Sequence, residues 1–139
     1  MKLEDRVCSL ENAQKLDELG VKAESYFWWY EGAYCESGLE VAPCICIEDR
    51  ATTRCAGGIA LAYTAAELGE MLPFDVDGYS LELYKEECGW SVEYIRHGRF
   101  CGDGSTTLHA EYVDTEADSH ALMLIWLLEN GHVKAEDLG

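Results

Sequence analysis

The chain has 139 residues, of which 48% are hydrophobic, and this length and composition predict one folded domain over residues 1–139. Its four Trp, eight Tyr and three Phe set it apart from disordered chains, which lack aromatic residues. The formal net charge is −17, from 27 acidic and 10 basic residues. This balance argues against direct binding to DNA, RNA or an anionic membrane. It is compatible with a partner that has a basic surface; the alternative is that the charge serves solubility alone.

The first third of the sequence predicts a helix and then a strand. The helix is expected from about Leu10 to Leu19, with Ser9 as its N-cap and Gly20 directly after it. The aromatic run within Ser25–Glu31 predicts a strand, and because aromatic side chains alternate onto both faces, we expect both faces to be at least partly covered.

The middle of the chain predicts a second strand, a loop and a short helix. The strand is expected near Leu39–Glu48 and contains Pro43, which cannot donate a ladder hydrogen bond, so we expect an edge strand or a bulged one. Asp49–Gly58 has the composition of a loop. The segment Thr64–Glu67 is a capping box that begins the helix, and Pro73 stops it.

The last part of the chain predicts three strands, at Tyr79–Glu86, Trp90–Arg96 and Thr107–Val113, and then a helix. In the third strand, apolar side chains at Leu108, Ala110 and Tyr112 alternate with polar ones at His109 and Glu111, which predicts one solvent-exposed face.

The final helix is expected to begin after Thr115 and to end at Gly131. Its stretch Ala121–Leu128 is apolar almost all round, which is typical of a helix buried in the core; the alternative is a helix that contacts another protein. The resulting order, α-β-β-α-β-β-β-α, predicts an α+β fold with an antiparallel sheet of about five strands and three helices on one face.

Seven cysteines, an odd number, and a charged N-terminus without an apolar run predict reduced thiols in a cytoplasmic protein. Four of them follow a Cys-x8-Cys-x-Cys-x8-Cys pattern, at Cys35, Cys44, Cys46 and Cys55. Four thiolates would close a tetrahedral zinc site, but a single residue between the central pair is short for zinc ligands, so the alternative is that these thiols belong to the core.

A basic cluster, Arg96, His97 and Arg99, precedes a glycine-rich segment that ends at Thr106. It predicts either a small-anion site or, if the loop borders a concave pocket, the site of a small enzyme; the alternative is a solvated hairpin tip. No pattern in the sequence predicts a catalytic group or a bound cofactor.

The aromatic side chains of Trp28, Tyr30 and Trp90 exceed what one small core needs, and Trp and Tyr are frequent interface anchors. The alternative is that they pack between the sheet and the helices. Paired acidic residues along the chain also raise nucleic-acid mimicry as an alternative, although no single predicted strand carries an alternating row of acids.

Three helix-cap and core segments resemble a group of short uncharacterised proteins encoded by bacteriophages and prophages. They run from Ser9 to Val21, from Thr64 to Pro73 and from Asp114 to Gly131, and the aromatic run Tyr26–Tyr30 fits as well. The resemblance implies a phage or prophage origin and action in the cytoplasm of a bacterial host, and it brings no activity or functional residues.

These observations favour a non-catalytic acidic protein-binding module, an accessory factor or an inhibitor of a host protein. The alternatives are a small zinc-binding protein, a nucleic-acid mimic and a small enzyme. The sequence leaves self-association into a homo-oligomer open.

Overall fold

The computed structural model describes residues 2–31, 41–45, 58–98 and 104–138, and for residues 30–31 and 41–45 it describes the backbone alone. The fold is α+β, as predicted. Three α-helices occur in the described residues: α1 (Leu10–Glu18), α2 (Ala65–Met71) and α3 (Glu116–Glu129). None of the described helices is long and apolar enough to cross a membrane.

Each helix begins at the residue that the sequence predicts. The side chains of Ser9, Thr64 and Thr115 accept hydrogen bonds from backbone N–H groups in the first turns of α1, α2 and α3. At Thr64 the capping box is complete, because the Glu67 carboxylate accepts the Thr64 N–H in return. Gly131 follows α3 with a φ of +74°, a conformation that favours glycine.

The strands divide between two antiparallel sheets, where the sequence predicts one. The first sheet has the order β2-β1-β3 and comprises β1 (Phe27–Glu31), β2 (Val41–Ile45) and β3 (Gly58–Leu61). The second has the order β4-β5-β6-β7 and comprises β4 (Asp75–Val76), β5 (Tyr79–Lys85), β6 (Trp90–Arg96) and β7 (Thr106–Val113). Helix α2 separates the two sets of strands along the chain. The short strands β3 and β4 were not predicted.

In the first sheet β1 is the central strand, and the rings of Trp28 and Trp29 are 6% and 7% exposed. This confirms that both faces of the aromatic strand are covered. Among the described strands, β2 lies at the edge of its sheet, a position in which a proline such as Pro43 is tolerated.

Helix α3 lies in the core, as its all-round apolar sequence predicts. It contacts α1, α2, β6 and β7, and eight of its residues are buried. Its N-terminus is tied to that of α1: the Asp118 carboxylate accepts hydrogen bonds from the Ser9 N–H at 2.7 Å and from the Asn12 side-chain amide at 2.8 Å.

At Ala110 and Tyr112 the faces of β7 are reversed relative to the apolar pattern of the strand, whereas Leu108 is half-buried against the core. Cross-strand partners share a face, and His109 and Glu111 pair with the buried residues Tyr94 and Val92 of β6. His109 therefore stacks on Trp126 of α3, with ring centroids 4.2 Å apart, while Tyr112 points outward and is 52% exposed. The pairing with β6 therefore determines which face of β7 lies against α3, and the polarity of the β7 side chains does not determine it.

Candidate partner-binding groove

A groove of about 1250 Å³ lies between α2, the first turn of α3 and strands β5 and β6. Its volume exceeds the 300–1000 Å³ that is typical of small-molecule sites. Its lining residues come from several different elements. The shape of the groove therefore depends on how α2, α3 and the second sheet pack together.

Its apolar wall is formed by Leu83 of β5 and Trp90 of β6. The register pairs Leu83 with Val92, two residues after Trp90, so both side chains lie on the helix-facing side of the sheet. Leu83 is nevertheless 47% exposed, because α2 and α3 do not cover it. Lys85 places its ammonium 5.8 Å from the centroid of the Trp90 indole, a cation–π contact that leaves the rest of the indole for packing.

The opposite wall is a patch of three small residues on α2: Ala65, Ala66 and Gly69. Residues three and four apart in a helix lie on one face, so the three form one continuous surface. A Cβ atom added to Gly69 would have no heavy atom of the described residues within 4 Å. The packing of that part of the chain therefore does not require glycine there.

His120 of α3 borders the buried end of the groove. It is 2% exposed, and both of its ring nitrogens are inaccessible to solvent. Burial lowers the pKa of the imidazole, while the Glu116 carboxylate and a hydrogen bond to the Glu116 backbone carbonyl oppose this shift. At least one ring nitrogen therefore has no hydrogen-bond partner among the described residues.

The rim of the groove carries more negative than positive charge. Asp5, Asp114 and Glu116 line it, against Arg6, and the Lys85 ammonium beside Trp90 is a second cation at the groove. The hydroxyls of the two threonines in the lining, Thr64 and Thr115, are engaged as helix caps. Among its described lining residues, the groove thus offers apolar contact and negative charge, and no nucleophile paired with a base.

The predicted interface anchors are placed differently by the structure. Trp90 lines the groove. Trp28 is buried, so its prediction as a surface anchor is wrong: β1 is the central strand of its sheet and is covered on both faces. The side chain of Tyr30 lies outside the described residues.

The predicted anion site is not assembled in the described residues. Arg96 donates a hydrogen bond to the Asp77 carbonyl at 2.9 Å, and its guanidinium lies 4.3 Å from the centroid of the Tyr79 ring. His97 Nε2 lies 2.7 Å from the Glu82 carboxylate, and this hydrogen bond lowers the pKa of Glu82. Both side chains thus have partners within the hairpin, while Arg99 lies outside the described residues.

The predicted cysteine site cannot be placed. Cys35, Cys46 and Cys55 lie outside the described residues, and of Cys44 the structure describes the backbone, in β2. Within the described part of the chain, no three His, Cys, Asp or Glu side chains are grouped as metal ligands would be. The zinc site stays a prediction.

The sequence analysis missed two residues of the groove, Gly69 and His120. The available signals were a glycine inside a helix whose start is well capped, and a histidine inside an otherwise apolar helix. Both signals are weak, because a glycine or a histidine at such a position is more often part of ordinary packing.

No protein-family model, curated protein or solved structure matches this chain. The likeness to phage and prophage proteins therefore stays a prediction, and the groove has to be interpreted from its own chemistry.

Proposed function

We propose that this protein is a non-catalytic, acidic protein-binding module whose groove receives a segment of a basic partner protein. One observation carries the proposal: the exposed Leu83 and the half-buried Trp90 form an apolar wall in a groove that is also lined by three carboxylates, against the cations Arg6 and Lys85. Interfaces commonly combine a buried aromatic anchor with a charged rim, the anchor supplying affinity and the rim supplying orientation and association rate.

The charge of the whole chain supports the same choice of partner. A net charge of −17 repels acidic proteins and nucleic acids and accelerates encounters with basic surfaces. If the resemblance to phage and prophage proteins holds, the partner is a protein of the bacterial host, and this chain acts on it as an accessory factor or an inhibitor.

Position-specific photo-crosslinking in bacterial cells tests the proposal. A photoreactive amino acid replaces Leu83 in the groove, and in a matched control it replaces Tyr26, which is 58% exposed and does not line the groove. We expect a discrete adduct with one basic protein from position 83 and none of that adduct from position 26. Equal adducts from both positions, or none from position 83, would contradict the proposal.

Two further measurements use the crosslinked protein in purified form. Trp90→Ala should lower the affinity at least about 30-fold, since truncation of a central aromatic anchor costs about 2 kcal/mol or more. Raising the salt concentration should slow association, because the rim charges are exposed and screened. An affinity that is unchanged by both perturbations would exclude the groove as the docking site.

A further inference from the structure

We infer that the open edge of β7 is a self-association surface, at which two copies of this chain pair their β7 strands antiparallel about a two-fold axis at Ala110. The second sheets of the two copies thereby join into one continuous sheet. This edge is separate from the groove, so the inference goes beyond the proposed function and does not rest on it.

Among the strands that the structure describes, β7 is the one long sheet edge without protection. Sheet edges in natural proteins are commonly protected by short length, by proline or by lysine. At the opposite edge of the same sheet β4 has two residues, and in the first sheet β3 has four residues and β2 contains Pro43. Strand β7 has eight residues, with no lysine and no proline. A shift in the register with β6 affects its first half and leaves residues 109–113 regularly paired.

The backbone groups on the outer side of β7 have no backbone partner among the described residues. The alternation of hydrogen bonds across the sheet is fixed at the β5–β6 hairpin, where the Glu86 N–H donates to the Gly89 carbonyl at 2.8 Å. Counted residue by residue from this bond, Val92 of β6 exchanges hydrogen bonds with Glu111 of β7. The N–H and C=O groups of Ala110, and of the residue two positions after it, therefore point to the open edge.

The sequence of β7 is complementary to itself in one register. A two-fold axis perpendicular to the sheet passes through a single residue of the strand and keeps the same face of both copies on the same side. With the axis at Ala110, His109 lies opposite Glu111 of the second copy. An axis at His109 sets the two imidazoles opposite each other, and an axis at Glu111 sets the two carboxylates opposite each other, which is unfavourable. Charge complementarity thus selects Ala110.

The side chains of β7 favour a second copy over the strand of a basic protein. Glu111 is the one acidic residue of β7, and its carboxylate lies 2.7 Å from the Nε2 atom of His109. The edge therefore lacks the excess negative charge that would select a basic strand. Across the axis, two histidines and two carboxylates meet, while Tyr112, which is 52% exposed, lies diagonal to Ala110 of the second copy.

The net charge of −17 opposes the association of two copies, so pairing should strengthen as salt screens the repulsion. Sedimentation equilibrium of the full chain under reducing conditions measures this directly. From about 5 to about 500 µM protein, we expect the mass to rise from 15.5 kDa toward twice that value, and to rise further in about 0.5 M than in about 0.05 M sodium chloride. Binding of a basic partner in the groove should show the opposite salt dependence.

The decisive variants are Ala110→Lys and Ala110→Pro, with Ser80→Lys as the matched control. Lysine at position 110 sets two ammonium groups opposite each other on the axis, and proline removes an N–H that points to the open edge. Ser80 is also exposed, but β5 is hydrogen-bonded on both sides, and its substitution changes the net charge by the same amount. Both variants at position 110 should raise the dissociation constant of the dimer at least about tenfold, whereas Ser80→Lys should not raise it.

A disulfide test checks the register. Hydrogen-bonded partners in antiparallel strands have Cα atoms about 5.5 Å apart, which a disulfide can span. Ala110→Cys protein treated with a mild oxidant should therefore give a disulfide between the two residues at position 110, identified by mass spectrometry of unreduced peptides. Thr107→Cys is the control, because Thr107 lies opposite Val113 of the second copy, and the two residues at position 107 are about 20 Å apart.

The outcomes distinguish this inference from the proposed function. A monomer at every protein and salt concentration overturns the inference, as does a dimer that survives both variants at position 110. A dimer that these variants disrupt, but that gives no disulfide at position 110, overturns the two-fold pairing at Ala110. Ala110→Lys should leave the adduct from position 83 of the groove unchanged, so either idea can fail while the other holds.

Discussion

Replacement of His120 by leucine should stabilise the protein, although it removes a residue from the core. The imidazole is 2% exposed, and with the Glu116 backbone carbonyl as a hydrogen-bond partner at least one of its two nitrogens is left unpaired among the described residues. A buried polar group without a partner costs about 1–3 kcal/mol, and leucine has a similar volume without that cost. We therefore expect His120→Leu to raise the free energy of unfolding by about 1–3 kcal/mol at pH 7.5.

The same substitution should remove one source of acid sensitivity. In the unfolded chain the imidazole titrates near its ordinary pKa of 6.5, whereas burial lowers its pKa in the folded state, against the opposing charge of Glu116. As the pH falls below 6.5, the unfolded state takes up a proton that the folded state resists, so stability decreases by up to about 1.4 kcal/mol per pH unit until the folded pKa is reached. The leucine variant lacks this proton uptake.

The assay is urea unfolding, followed by circular dichroism at pH 7.5 and pH 5.5. At pH 7.5 the midpoint of His120→Leu should exceed that of the wild type by about 0.5–1.5 M, and at pH 5.5 the difference in unfolding free energy should grow by up to about 1.4 kcal/mol. His97→Leu serves as the control, because the His97 side chain is 63% exposed and should give changes within about 0.5 kcal/mol. A less stable leucine variant at pH 7.5, or a difference that stays constant between the two pH values, would refute the reasoning.

Three further predictions concern the rest of the molecule. Asp118→Ala should lower the unfolding free energy by about 2–4 kcal/mol in the same assay, because the carboxylate accepts two hydrogen bonds that join α1 to α3. The control Asp114→Ala should change the unfolding free energy by less than about 0.5 kcal/mol. Equal losses for the two variants would contradict this role of Asp118. Cys8 is buried and its pKa is raised to about 12 by burial, so peptide mapping after iodoacetamide treatment of the folded protein at pH 8 should find Cys8 unmodified and the exposed Cys88 labelled. If the cysteine cluster of the sequence binds zinc, protein purified without chelator should contain close to one equivalent by elemental analysis, and less than about a tenth of an equivalent would exclude a structural site.

The helices could be predicted in detail because their signals are local. A hydroxyl residue before each helix accepts a hydrogen bond from the first turn, and this depends on residues three positions apart in the sequence. The aromatic run predicted that both faces of β1 are covered, and Pro43 predicted that β2 is an edge strand or a bulged one. The α+β class and the positions of the three helices therefore needed no knowledge of long-range contacts, whereas the short strands β3 and β4 were missed.

The division into two sheets and the facing of β7 could not be predicted, because both depend on pairing between distant strands. Ala110 and Tyr112 belong to the more apolar side of β7, but the register with β6 sets Glu111 opposite Val92 and turns the polar side toward α3 there. Leu108, beyond a shift in the register, is half-buried against the core. Trp126 accommodates this reversal, because its indole stacks on the imidazole of His109. Period-2 alternation identifies the two faces of a strand but does not say which of them the helices cover.

The candidate groove was predicted in part. Trp90 was identified as an interface anchor from its residue type, while the same reasoning was wrong for Trp28, because a tryptophan can serve equally well in a core. Gly69 and His120 could not be identified from the sequence because the relevant feature of each lies in its three-dimensional surroundings. Among the described residues, the space beside Gly69 is empty, and hydrogen bonds are missing around the His120 ring.

These two residues share a further property, which connects the groove with stability. Three polar or charged residues are buried in the described part of the chain: Ser25, Ser119 and His120. Both serines are paired: the single hydroxyl proton of Ser25 lies within hydrogen-bond distance of the Ala62 carbonyl and the Glu67 carboxylate, and Ser119 donates to the Glu116 carbonyl. At least one ring nitrogen of His120, by contrast, has no partner among the described residues, and the same holds for Trp28 Nε1 in the first sheet. A glycine in a helix costs about 1 kcal/mol, and an unpaired buried polar group costs about 1–3 kcal/mol, against a total stability of typically 5–15 kcal/mol for a domain. The variant that combines Gly69→Ala with His120→Leu should therefore be more stable than the wild type, because alanine favours the helix and leucine leaves no ring nitrogen unpaired.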